Sequence, residues 1–500
     1  MSFIVQPSGA TVEPIDAPVD LYTALTYNYV AGGGAYTWQC TNLDSFTTYT
    51  VSTTNGTVTF SSAGVLSYSP ATVGDGGFTI NSRLVALTIG SPIGYFELLN
   101  DPSIYIVPAG GAVDSSSNLY SVGTNGAQAV VLQKIDINGV LQWQIKLTPT
   151  NAASGMAVAV DSSNNIYVGG SGSTISPYRD FLVAKYNSSG VLQWQRALGN
   201  VATFDDRGEG IAVDSSANVG ITGYENSSGV AYAFLTAKYN TSGTIQWQRR
   251  LSGSYNCFGK ACAFDTSGNL FVAGRMETGA GIANYIAKYD TSGTLQWQRQ
   301  LKLAAGYGSS DDYWYGITID SAGNPCVTGR VLTSGYTIVT AKYNTSGALQ
   351  WQRSLSSGEG RAVATDSSNN VYVCGYSGTS VQIAKYNSSG TLQYQRSLTT
   401  SVGISGVSIS ISGTSMYISA LILTTAQGTL NFRLPTDGSS TSTYTVGAYS
   451  VVYAASTLTG ATTTYVDSAG ALSSSTPAYT EVAGTLTAGT TTFTSTTTLF

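Results

Sequence analysis

Five hundred residues, with 57 glycines, 22 basic and 27 acidic side chains and no histidine, are too many for one ordinary core, so two or three domains are expected. A net charge of -5 argues against a nucleic-acid partner, because phosphate binding needs a basic surface. The missing histidine removes Ser-His-Asp and Cys-His catalysis and histidine-ligated zinc or haem, while 42% hydrophobic residues leave enough apolar surface for a large core.

The first twenty residues, MSFIVQPSGATVEPIDAPVD, carry neither the basic nor the apolar segment of a secretory signal. No run of about 18 apolar residues occurs anywhere, so no membrane insertion is expected. The five cysteines, Cys40, Cys257, Cys262, Cys326 and Cys374, are scattered without a CxxC pair. They read as small buried thiols of a protein made in a reducing compartment, with a Cys257–Cys262 pair as the alternative.

Residues 1–91 form a first block. Short strand-like runs at 35–40, 47–53, 57–62, 65–70 and 83–90, separated by Asn-Gly, Ala-Gly and Asp-Gly turns, predict a small antiparallel sandwich. The block looks like an immunoglobulin-like module in architecture only.

Residues 92–447 are organised by a repeat. The string LQWQ or a close relative recurs six times, with its aromatic at Trp143, Trp194, Trp247, Trp297, Trp351 and Tyr394. Each copy follows a string such as AVDSSNNIY (159–167) and another such as FLVAKYNSSG (181–190). A unit therefore reads as four strands; in the second copy these are 156–160, 166–170, 181–186 and 191–198. The early strands are continuously apolar, as for strands covered on both faces, and the last alternates. DSSNN and NSSG are tight-turn clusters. A buried inner strand grading to a half-exposed outer one is what a propeller blade needs.

These units, AVDSSNNIYVGG with AKYNSSGVLQWQ, resemble the bacterial β-propeller (SBBP-type) repeat family over roughly 109–398. The resemblance implies a propeller and no common catalytic site. A degenerate seventh unit follows at 406–438, so seven four-stranded blades are expected. Residues 93–103 alternate like an outer strand and are predicted to complete the seventh blade, closing the ring and removing a sheet edge. The competing candidate for that strand is 443–453.

Residues 448–500 differ in composition. Of residues 451–500, 16 are Thr and 6 are Ser, yet Leu458, Tyr465, Leu472, Tyr479, Leu486, Phe493 and Phe500 recur every seven positions. One large residue per heptad among threonines makes a poor helix. A Thr-rich fibrous β extension is expected, burying those residues against partner chains in a homo-oligomer, with a trimer as the guess. Such tails look like those of bacteriophage virion proteins.

Connectivity places the length-variable loops, between second and third strands and between blades, on one face, where recognition is normally built. The ligand-binding candidates there are Tyr178, Arg179, Asp206, Arg207, Tyr224, Tyr255, Asn256, Asp312, Tyr313, Trp314 and Tyr315. Flat amphipathic rings with hydrogen-bonding neighbours suit a carbohydrate better than a nucleotide. Asp205, Asp206 and Glu209, with Asp311 and Asp312, are the acidic clusters to test for catalysis or calcium, and structural roles are expected of them. No catalytic residue, metal or cofactor is assigned. The repeated aspartates (Asp114, Asp161, Asp214, Asp265, Asp320, Asp366) read as turn caps. The repeated lysines and arginines read as bonds between blades.

The expectation is thus an all-β, non-enzymatic virion protein, a tail fibre or related component assembled in a host bacterial cytoplasm. Its partners would be other virion proteins and a host-surface glycan. A bacterial surface adhesin or lectin is the alternative and a polysaccharide depolymerase the second alternative.

Overall fold

The computed structural model describes most of residues 106–462, a few short loop stretches apart, and outside them the backbones of the strands given below. The chain divides into two compact units, Met1–Ser91 and Pro92–Phe500.

In the first unit, Leu25–Val30, Asp75–Asn81 and Thr50–Thr53 form one antiparallel sheet, and Tyr36–Gln39, Val65–Ser69 and Thr57–Phe60 form another. Four of these strands coincide with expected runs. The strands Leu25–Val30 and Asp75–Asn81 were not expected, and the run at 83–90 lies outside the described residues.

The second unit is a seven-bladed β-propeller. Its inner strands are Ile106–Val113, Ala153–Val160, Arg207–Val213, Cys257–Phe264, Tyr313–Ile319, Glu359–Thr365 and Ile404–Ser412, each packed on the next around a closed ring. In the second blade the order is Ala153–Val160, Ile166–Gly172, Asp180–Tyr186 and Leu192–Gly199, all antiparallel. Ile166–Gly172 is buried throughout, whereas Gln193 on the outer strand is exposed. Blade cores merge across neighbours: Tyr167, Phe181 and Val183 of the second blade share a cluster with Ile211, Val219 and Leu235 of the third.

The repeated polar residues build turns and ties. Asp161 Oδ1 accepts the backbone N–H groups of Ser163 and Asn165 at 2.9 and 2.8 Å, and Oδ2 accepts Asn165 Nδ2 and the Tyr167 hydroxyl. Asp114 and Asp366 repeat the pattern, and Asp214, Asp265 and Asp320 repeat its turn bonds. Trp247 Nε1 donates to Thr291 O at 3.0 Å and Arg249 Nε to Gly293 O, both in the next blade's last turn. Trp194/Arg196, Trp297/Arg299 and Trp351/Arg353 do the same, and Tyr394/Arg396 substitutes a phenol for the indole. The repeat's cations are therefore structural.

Tyr95–Asn100 pairs antiparallel with Gly428–Pro435 and so completes the seventh blade, as expected. The competing segment goes elsewhere: Ser442–Val446 and Tyr449–Ala455 form a hairpin on Leu392–Thr400, the outer strand of the sixth blade.

The tail does not extend as the expected fibre. From Tyr449–Ala455 on the sixth blade it runs backwards round the ring: Gly460–Thr462 pairs with the fifth blade, Val466–Ala469 with the fourth and Ser473–Ser475 with the third. Thr480–Ala483 then pairs with the second, Thr487–Thr490 with the first, and Thr494–Leu499 with Tyr95–Asn100 of the seventh. Every blade gains an outermost strand. The register repeats: Ala455, Thr462, Ala469, Ala483 and Thr490 stand opposite Arg396, Arg353, Arg299, Arg196 and Ile145, the same outer-strand position in five blades. The seven-residue period is thus the blade-to-blade step, about 23 Å of extended chain at roughly 3.3 Å per residue. The physical reason for the correction is that outer strands are open edges needing partners, and a Ser/Thr backbone supplies them within the chain. Leu458, the described member of the period, packs on the cluster of Trp351, Leu355 and Tyr386. The other members, Tyr465, Leu472, Tyr479, Leu486, Phe493 and Phe500, lie outside the described residues.

Candidate functional site at the variable rim

Each inner strand carries a β-bulge at the same place, and a bulge re-aims a side chain. The register breaks at Pro108/Gly110, Gly155/Ala157, Gly208/Gly210, Gly259/Ala261, Trp314/Gly316, Gly360/Ala362 and Gly406/Ser408. The extra residues are Ala109, Met156, Glu209, Lys260, Tyr315, Arg361 and Val407, all half-buried. Across from the bulge the second strand carries glycine in six blades and Ala420 in the seventh; a Cβ on Gly329 would stand 1.7 Å from Tyr313 O. The residue after that position is Thr124, Ser171, Tyr224, Arg275, Arg330, Tyr376 and Leu421 in successive blades. Both positions are charged or aromatic in blades three to six. In blades seven, one and two they are apolar or small.

The polar half forms one continuous cluster. Lys260 Nζ lies 3.0 Å from Glu209 Oε1, and 5.6 and 5.8 Å from the ring centres of Tyr224 and Tyr313. Tyr224 meets Tyr232 and Phe258 edge-on at 5.4 and 5.0 Å. Tyr313 and Tyr315 stack at 5.1 Å and 16°. Arg275 lies 4.1 Å over Tyr313, Arg330 4.2 Å over Tyr336, and Arg361 4.3 Å over Tyr315. Arg361 also donates to the Tyr376 hydroxyl at 3.2 Å. Glu359 holds Arg330 at 2.5 Å and Arg361 at 2.9 Å, and Glu277 pairs with Arg275 at 3.4 Å. Such cation–ring contacts fix guanidinium planes.

Charge is layered at two of the cluster's three carboxylates. The carboxylates of Glu209 and Glu359 are 8% and 7% exposed, and the cations above them, Lys260 and Arg361, 20% and 34%. Burial pushes the Tyr224 phenol up to about 12, with Glu209 adding and Arg207 opposing. Burial likewise raises Tyr315. Both rings are neutral hydrogen-bond donors at pH 7, so the cluster can stack, donate and present positive charge.

Of the residues expected at this face, Tyr224, Tyr313 and Tyr315 belong to the cluster. Arg207 is at its edge, paired with Asp205 at 3.5 Å. Tyr178 and Tyr255 are exposed. Four others are held within the scaffold. Trp314 is wholly buried among Phe271, Ile286 and Val339, because it points between sheets while its neighbours flank the bulge. Asp206 is buried and its N–H donates to Arg179 O at 2.7 Å, while Arg179 N–H donates to Asp205. Asp312 Oδ1 accepts Leu332 N–H, and Asn256 ties Tyr232 N–H to Glu277. Asp311 lies outside the described residues. Lys260, Arg275, Arg330, Arg361, Phe258 and Tyr376 were missed. Their signal was available: a charge or ring interrupting an otherwise repeated apolar strand. Among the described residues no group of three His, Cys, Asp or Glu is placed to hold a metal ion.

No family model matches the chain. The regulatory protein FlaEY of Caulobacter vibrioides is 30% identical over 138 residues, covering 25% of this chain and 14% of that protein. Among solved structures, the polysaccharide lyase Uly1 is similar at TM-score 0.42 and 11% identity, covering 66% of this chain and 90% of that one. The Dos1 propeller follows at TM-score 0.37 and 10% identity, covering 75% and 81%.

Proposed function

We propose that this chain is a non-enzymatic binding propeller whose variable rim holds a host-surface glycan, within a virion attachment component of the tail-fibre kind. Its repeats are read as SBBP-type, and the two sheets of the first unit as an immunoglobulin-like anchor to other virion proteins. The tail's strands are paired within the chain, so any trimer would form through surfaces other than those strand edges.

One observation carries the binding reading. Four consecutive blades carry Tyr, Lys, Arg and Glu at two rim positions where the other three carry apolar or small residues, and those side chains meet in one cluster. Core packing alone calls for the residues that blades seven, one and two have there. Stacking rings with fixed donors are suited to sugar faces and hydroxyls.

The test is a glycan array probed with the full chain and with Tyr313→Ala/Tyr315→Ala. Retained glycan on the native chain, lost from the variant at an unchanged melting temperature, supports the reading. Release of shortened glycan overturns it in favour of a depolymerase. Absence of the chain from purified phage particles overturns the virion assignment.

A further inference from the structure

We propose that the glycan is acidic, with its carboxylate or sulfate groups held by Lys260 and Arg361 on either side of the Tyr313–Tyr315 pair. This rests on the rim being a glycan site and goes on to name the ligand's chemistry.

The cluster is locally cationic in an anionic chain. Lys260, Arg275, Arg330 and Arg361 all stand within 6 Å of the Tyr313 or Tyr315 ring centre, and three carboxylates, Glu209, Glu277 and Glu359, accompany them. The chain as a whole carries -5. These four cations lie at positions where the repeat carries none, whereas the repeat's own Lys and Arg reach turn carbonyls and turn aspartates. At Glu209 and Glu359 the layering gives the excess a direction, whereas Glu277 is more exposed than its partner Arg275. Glu359 sits beneath and fixes two guanidinium groups, and the outer of them, Arg361, is the most exposed charge of the set. Buried carboxylates that orient outer cations build a site for an anion, since charge-assisted bonds from a fixed guanidinium to an oxyanion are short and strong. Neutral phenols beside them add donors and no repulsion.

The other half of the rim fits the rest of such a ligand. Val407, Ala109 and Met156 occupy the equivalent bulge positions of blades seven, one and two. An acidic sugar has an anionic edge and an apolar C–H face, and this rim is divided in the same way. A ligand of uniform charge would gain nothing from the apolar half.

The experiment measures binding of the full chain to polygalacturonate and its methyl ester, and to dextran sulfate and dextran. The acidic polymer of at least one pair is expected to bind about ten-fold or more tightly than its neutral partner, and to weaken from roughly 0.05 to 0.3 M NaCl. Which pair shows the difference separates carboxylate from sulfate. Arg361→Gln should cost about ten-fold, and Arg361→Lys less, because lysine keeps the charge and loses the fork. Lys260→Gln is made with Glu209→Gln so that no buried carboxylate is left unpaired.

Neutral and acidic polymers bound equally, or binding indifferent to salt on the unaltered chain, overturns the proposal while the glycan site stands. Single-stranded DNA bound as tightly as the acidic polymers also overturns it. No binding of any glycan overturns the underlying reading instead.

Discussion

Gly243 lies flat against the indole of Trp194 in the preceding blade. It has φ +78°, and a Cβ there would stand 2.8 Å from Trp194 Cδ2. The same glycine accepts Arg196 Nε at 2.9 Å. A turn conformation and an inter-blade contact thus depend on one missing side chain. Gly243→Ala is expected to destabilise by about 2–3 kcal/mol, read as a lower urea midpoint at unchanged m.

The first-hairpin turns give the opposite sign. Ala217 holds φ +58° where the fourth and fifth blades place Gly268 and Gly323 at +78° and +80°. Ala217→Gly should stabilise by about 0.5–1 kcal/mol, since the left-handed strain removed exceeds the backbone entropy added. An unchanged or lower midpoint would contradict the turn geometry.

Removing residues 456–500 should lower the melting temperature and promote association, because blades one to five and seven would each expose an unpaired outer edge. Hydrogen exchange would show it directly. Outer-strand amides in 145–148, 196–199 and 353–355 should lose protection while inner strands keep theirs. Equal melting with and without the tail would mean that the circumferential pairing does not form.

Lys342 Nζ and Asp320 Oδ2 meet at 2.7 Å with side chains 7% and 1% exposed. Burial opposes the charge on Asp320, but bonds from Lys342 and Asn324 outweigh it and hold the carboxyl below its usual range. Its contribution to stability is therefore full at neutral pH and falls away as pH drops below about 4, through the lowered value. Lys342→Met leaves the carboxylate buried without its partner and should cost about 3 kcal/mol at pH 7. The penalty should shrink in acid, checked by denaturation at both pH values.

Cys257, Cys262, Cys326 and Cys374 are free and buried. Burial pushes the thiols of Cys257, Cys326 and Cys374 up to about 12 and raises Cys262 as well. With about one in ten thousand of a pKa-12 thiol ionised at pH 8, iodoacetamide should leave all four unlabelled until the chain is unfolded. Rapid labelling of any of these four in the folded protein would contradict their burial.

The blades were legible because six of them repeat a local rule: Asp and a tight turn, apolar runs between turns, and Trp, or Tyr394 in the sixth, at a fixed place on the outer strand. The closing strand at 93–103 was legible for the same reason, since it alternates like its counterparts. The tail showed its period and hid its meaning. Seven is a property of the ring's circumference, so nothing within residues 451–500 announces it. The rim was half visible. Tyr313 and Tyr315 stand out in the chain, but Trp314 between them goes into the core. Arg361 sits in GEGRAVAT, where only the bulge turns it towards Tyr315.

The tail circles the ring against the order in which the blades follow one another, and this has a consequence for biosynthesis. Each outer strand waits for a partner up to several hundred residues later in the chain. During translation the repeat blades emerge and fold with their rims unsealed, and the seals then arrive in reverse order, sixth blade first. A chain interrupted before residue 449 displays a raw β edge on each repeat blade it has completed. Completion of the circumferential pairing is thereby written into the outer edges of the blades.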